Sequence, residues 1–138
     1  MNFLFFTYGT LMLPFPSPIA QHFHRNALFL GEAHFTGLLF DIGQYPGACY
    51  FAKCRHLVFG QLFQINSSVY TKVMELLDAY EGGEYNRTYI PIDFQSQQLE
   101  AEVYLYNQPF QHLACIPNGD YRSYCVGNRL HQNFVEST

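Results

Sequence analysis

Between His56 and Gly83 the hydrophobic pattern changes period once, and that change restricts the fold more than any other feature of the chain. The stretch HLVFGQLFQI, His56 to Ile65, is almost continuously apolar apart from Gly60, Gln61 and Gln64, and reads as a strand. From Ser67 to Tyr80 the apolar positions Val69, Val73, Leu76, Leu77 and Tyr80 instead follow i, i+4, i+7, i+8 and i+11. That spacing marks one face of a helix about four turns long. Asn66 or Ser67 suits its N-cap, and Gly82-Gly83 suits its end. A strand that feeds directly into an amphipathic helix points to a small mixed sheet or barrel with one main helix packed on it.

The rest of the chain supplies strands. Asn2 to Tyr8 is short, apolar and aromatic, as a buried strand would be. Ala27 to Phe40 reads as one or two strands, with Gly31 and Gly37 as bulges or bends, and DIGQYPG from Asp41 to Gly47 carries turn chemistry. YNRTYIPIDF and LEAEVYLYN form two further strands joined around Gln95 to Gln98, the first placed at an edge or bulge by Pro91. Leu11 to Gln21 holds three prolines and is expected to be extended or loop-like. The tail from Ile116 begins with a turn and continues as a short helix or an irregular segment. At 138 residues, with 49% hydrophobic and only 13% charged, the chain is expected to be a single domain with a real core.

Charge and cysteine usage exclude several classes of function. The net charge is −4 and the seven Lys and Arg are scattered singly, so no basic stripe exists to meet nucleic acid. No apolar run approaches the roughly 20 residues that span a bilayer. The apolar opening lacks the cationic start of a secretory signal, since no Lys or Arg precedes Arg25. Cys49, Cys54, Cys115 and Cys125 form no C-x-x-C pair, which favours thiols in a reducing cytoplasm over a zinc or redox motif. His22 and His24 are read as surface histidines on an extended segment rather than metal ligands.

Two short stretches have chemical potential. Glu81 ends the helix, where the dipole disfavours a carboxylate by about 0.3–1 kcal/mol. It also follows Tyr80 of the apolar face, and both effects raise its pKa towards a range useful for general acid–base work. The alternative is an exposed Glu at a frayed helix end. Glu84 reads as an ordinary surface carboxylate. Tyr8-Gly9-Thr10-Leu11 follows the first strand, and its glycine allows a turn whose N–H groups point one way, towards an oxyanion or carboxylate. Alone, it is also a plain strand-ending turn.

Taken in order, these stretches resemble the γ-glutamylcyclotransferase-like superfamily, in particular its AIG2-like branch. FFTYGTL at 5–11, GLLFDIGQYPG at 37–47, FGQLFQI at 59–65, LLDAYEG at 76–82, Tyr85-Asn86-Arg87, VYLY at 103–106 and Gly119 to Tyr124 carry the likeness over nearly the whole chain. The resemblance implies a cyclotransferase-type small barrel with flanking helices. It also implies Glu81 as the catalytic carboxylate, Tyr8, Gly9, Thr10 and Leu11 as the substrate loop, and Tyr121 as a pocket residue. Arg87 fits a family position and equally a structural ion pair. The implied partner is a small-molecule γ-glutamyl amine or amino acid, cyclised to 5-oxoproline by a monomer or weak homodimer, with no metal or cofactor. A non-catalytic binding module on the same fold is the alternative. The sequence departs from the family after Leu11, where MLPFPSPIAQ is expected to border the pocket and to favour a less polar leaving group.

Overall fold

In a computed structural model describing residues 2–137, the strands form one sheet that closes on itself. The elements run β1 (Asn2–Thr7), α1 (Pro18–Arg25), β2 (Leu28–Asp41), β3 (Pro46–Tyr50), β4 (Leu57–Asn66), α2 (Ser67–Glu81), β5 (Tyr85–Phe94), β6 (Gln97–Tyr106), β7 (Ala114–Cys115), α3 (Tyr121–Val126) and α4 (Arg129–Ser137). The strand order is β3-β2-β4-β1-β6-β5, and β5 returns to β2 at Asp93 and His34. Strands β2, β4, β1, β6 and β5 therefore make a closed five-stranded barrel, with β3 and β7 extending from the far end of β2. The class is α+β, as expected. No helix among the described residues is long and apolar enough to cross a membrane.

Strand β1 lies in the middle of this barrel, and it is apolar without alternation because both of its faces are covered. Phe6 and Tyr8 point into the barrel interior with Phe35, Leu62 and Val103. Phe5 points outward into a second core with Phe23, Phe63, Ile65, Val73, Met74 and Leu77, sealed by α1 and α2. Phe23 of α1 packs edge-on against Phe5 at 5.4 Å and Phe63 at 4.8 Å.

Helix α1 corrects the expectation of an extended 11–21 segment. Ser17 caps it by accepting from the Ala20 amide at 3.3 Å, and Pro18 occupies the first turn. A proline there loses no hydrogen bond and has its φ already set for a helix. His22 and His24 consequently do not share a side. His24 is half-buried, stacks on Phe63 and contacts the Leu11 carbonyl at 2.6 Å, and burial pushes its pKa down.

Helix α2 starts and stops where expected. The Asn66 side chain accepts from the Ser68 amide at 2.9 Å, and Gly82, with φ 74°, turns the chain out of the helix. Its packed stripe, however, is rotated from the expected face. Met74 is buried with Val73 and Leu77, while Leu76 is 40% exposed. Continued by four residues from Leu77, the buried stripe arrives at Glu81. The hairpin between β5 and β6 turns at Gln95 and Ser96, both with positive φ, a two-residue connection built without glycine.

Candidate active site

The stripe of α2 that ends in Glu81 runs out over a cavity of about 250 Å³. Its lining comes from the end of β1 and the following turn (Phe5 to Thr10), the turn before β3 (Tyr45, Pro46), the end of α2 and the start of β5 (Tyr80, Glu81, Glu84, Tyr85), β6 (Tyr104) and α4 (Phe134). The structure thus brings Glu81 together with Tyr8, Gly9 and Thr10, residues more than seventy positions away in sequence.

Strand β1 ends at Thr7, and a turn follows in which the Met12 amide donates to the Gly9 carbonyl at 3.2 Å. The amides of Gly9, Thr10 and Leu11 find no acceptor among the described residues, although all three residues are buried. Buried N–H groups of this kind are normally paired, so this turn is suited to holding an anion or a carbonyl oxygen. Gly9 is favoured by proximity rather than by its φ. A Cβ there would stand 3.0 Å from the Pro46 ring, which forms part of the cavity wall. Thr10 Oγ1 lies 2.7 Å from the Tyr80 hydroxyl and ties the turn to α2.

Three tyrosines frame the carboxylate, and each is spoken for. Tyr8 donates to the Tyr104 carbonyl at 2.7 Å and accepts from the Ala48 amide at 3.1 Å. Tyr85 donates to the Pro46 carbonyl at 2.6 Å, and Tyr104 to Asp78 at 2.6 Å. Burial is the first cause that drives all three phenols well above their ordinary pKa. They serve as neutral walls and struts. Glu81 receives no hydrogen bond and no cation from the described residues. Burial first, and the charge of Asp78 second, raise its pKa from the carboxylate range to about 8.

Other expectations are placed differently. Leu11 does not line the cavity; it is buried in the outer core with Phe5 and Phe23. Tyr121 is fully buried, with its hydroxyl 2.6 Å from His131 Nδ1, and also lies outside the lining. The proline-rich segment does not border the cavity either. Its Leu13 backbone exchanges two hydrogen bonds with Gln61 of β4, and Phe15 packs on Tyr121. The proline and phenylalanine that do line the cavity are Pro46 and Phe134. Glu84 is part of the lining rather than a plain surface group, and it accepts the Tyr45 hydroxyl at 2.5 Å. Burial and this carboxylate push Tyr45 up to about 12.

Arg87 is outside the lining. It forks onto Asp78, with both bonds at 3.0 Å, and reaches Glu102 at 2.8 Å. All four cysteines are free, and Cys49 and Cys54 are not bridged. Sequence reasoning missed Tyr45, Tyr104 and Phe134 as wall residues. The Tyr-Pro pair at 45–46 was visible as a turn, whereas Phe134 had no local signal.

Residues 5–123 match the family model described as gamma-glutamyl cyclotransferase, AIG2-like. Among solved structures, the chain is similar to YkqA from Bacillus subtilis at 19% identity and TM-score 0.70, covering 94% of this chain and 44% of that one. It therefore spans less than half the length of that protein. It is also similar to the AIG2-like protein of Mus musculus (21% identity, TM-score 0.66, covering 86% and 88%) and to ytfP of Escherichia coli (27%, 0.57, covering 88% and 96%). No curated protein sequence matches it significantly. With the family match running from β1 into α3, the chain belongs to the gamma-glutamyl cyclotransferase, AIG2-like family.

Proposed function

We propose that this protein cyclises the γ-glutamyl group of a small γ-glutamyl amine or amino acid to 5-oxoproline, releasing the free amine, with Glu81 as general acid and base. The observation that carries the reading is the unpaired Glu81 carboxyl, its pKa raised to about 8, in one cavity with the Gly9–Thr10 turn. The substrate's α-carboxylate or γ-carbonyl oxygen takes the vacant amides of the turn. Glu81 removes a proton from the substrate's α-ammonium, and the freed amine attacks the γ-carbonyl carbon. The C–N bond of the five-membered ring forms as the bond to the leaving nitrogen breaks. Glu81 returns that proton to the leaving nitrogen. The ring nitrogen gives up a second proton by the same route as it becomes the lactam N–H, and the amine departs as an ammonium ion. No water is consumed, and folding the substrate into a ring-like pose supplies much of the acceleration. A pKa near the working pH suits a group that must take and give the same proton in one cycle. The free thiols fit a cytoplasmic setting.

The test compares purified wild type with Glu81→Gln on a panel of γ-glutamyl amides, measuring 5-oxoproline and free amine together. Wild type is expected to release them one to one, and the variant to be slower by about 10²–10⁴-fold. Equal rates for the two proteins, or binding without turnover by wild type, would overturn the assignment.

A further inference from the structure

Outside the reacting groups, one cluster has no part in the chemistry above. His131 of α4 has no exposed surface and lies between Tyr121, 2.6 Å from its Nδ1, and Asp41, 2.8 Å from its Nε2. Asp41 also accepts the Tyr124 hydroxyl and, at 2.7 Å, the Gly43 amide. Burial alone would raise Asp41, yet the bonds from Tyr124, Gly43 and His131 hold it below its usual range. This chain fixes α4 to the end of β2. One turn further along α4, Phe134 reaches the cavity, with its ring centroid 5.2 Å from Tyr45 and 6.5 Å from Tyr80. The rim of the cavity then runs without a gap from Thr10 through Tyr80, Phe134 and Tyr45 to Glu84. Among the described residues Phe134 joins its two hydrogen-bonded halves, and it comes from a helix beyond residue 123, where the family match ends.

We propose that α4 sets the substrate range of this protein. Phe134, positioned by the Asp41–His131–Tyr121 chain, forms with Tyr45 and Tyr80 an aromatic wall that selects γ-glutamyl amides whose leaving amine carries a flat aromatic group. The proposal rests on the amide-cyclising reading of the cavity. With the glutamyl half held between the Gly9 and Thr10 amides and Glu81, the leaving group faces the remaining rim. Three rings there offer edge and face contacts to an aromatic substituent that a small alkyl group cannot use. His131 does not touch substrate and acts as a positioning residue.

The experiment measures kcat/KM for the γ-glutamyl amides of benzylamine, methylamine and 1,4-diaminobutane. Wild type is expected to favour the benzylamide over both others. Phe134→Ala should lower the benzyl-to-methyl ratio about tenfold, the range that pocket contacts of this size command. Phe134→Leu, which keeps an apolar residue at the position, should lower it less. His131→Gln should lower the same ratio and add nothing in a Phe134→Ala background, a coupling that general loss of folding would not produce. Equal handling of the benzyl and methyl amides by wild type would overturn the proposal, as would a ratio untouched by Phe134→Ala or a preference for the diamine amide. If wild type turns over none of them, calorimetric titration with the same compounds decides. Benzylamide binding weakened by Phe134→Ala keeps the wall and removes the cyclisation reading, while no binding at all removes both.

Discussion

Glu102 on β6 and Glu81 at the end of α2 are carboxylates drawn out of water around the same part of the barrel, and they are treated in opposite ways. Glu102 is 5% exposed and is fully partnered: Arg87 donates to one oxygen at 2.8 Å, and Tyr70 donates to the other. Arg87 also donates to the Tyr70 hydroxyl at 2.8 Å and forks onto Asp78, and Tyr104 adds another bond to Asp78. The compensation stops there. Asp78 lies one helical turn before Glu81, and its charge adds to the burial that keeps Glu81 protonated. One carboxylate is satisfied and holds β5, β6 and α2 together. The other is left with nothing but the cavity, which is the condition for a group that must exchange protons with a substrate.

Removing the satisfied member should have the largest effect on stability. Glu102→Ala leaves the Arg87 guanidinium facing a gap in a partly buried site. Cutting one partner from a buried pair costs about 3–5 kcal/mol. The side chain of Arg87 is 27% exposed and keeps its two bonds to Asp78, so the lower end of that range is expected here. Urea melts at pH 7 measure it. A loss below about 1 kcal/mol, the value of a surface pair, would erase the contrast with Glu81.

Removing the unsatisfied member should do the reverse, in a pH window that can be worked out. The folded pKa of Glu81 is about 8, above the ordinary carboxylate value that applies in the unfolded chain. Below that ordinary value both states hold the proton and there is no penalty. As pH rises from there through 8 the unfolded state ionises first, and stability is lost. Glu81→Gln should therefore match wild type near pH 4 and become more stable above pH 8. The residue is half-buried, so the full linkage value is reduced by solvent, and about 1–3 kcal/mol is expected, a rise of several degrees in Tm. A variant equally stable with wild type at both ends of this range would show that Glu81 is not strained by its surroundings.

How much of this contrast was legible in the sequence follows from where each signal is stored. The strands β1, β4, β5 and β6 announced themselves by apolar runs, and α2 by its period and caps. The pairing of Tyr8, Gly9 and Thr10 with Glu81 came from motif order. The orientation of α2 did not come through. Leu76 looked like core and Met74 did not, because the packed stripe ends in a carboxylate and so has no apolar residue to align on. Helix α1 was hidden because proline reads as a breaker unless the serine cap before it is given weight. Strands β3 and β7, five and two residues long, exist only as additions to β2. Phe134 and His131 were invisible for a different reason. Their roles are set by which surfaces α4 touches, and that is tertiary information with no local period.

The smallest effect is the most direct probe of how Glu81 is tuned. If the carboxylate form is the one that starts the reaction, kcat/KM should climb about tenfold per pH unit below 8 and level off above it. Burial is the larger cause of the raised pKa and cannot be removed without rebuilding the cavity. Asp78 is the smaller cause, and it stands outside the lining. Asp78→Asn keeps an acceptor for the Tyr104 hydroxyl but removes the negative charge. The midpoint of the pH profile should then move towards lower pH, and only slightly, because Arg87 already offsets much of that charge in wild type. A neutral residue one turn away would otherwise have no route to the titration of Glu81. A midpoint that stays in place would assign the whole shift to burial, and one that moves upward would mean that the freed Arg87 or the displaced Tyr104, rather than the charge of Asp78, controls the site.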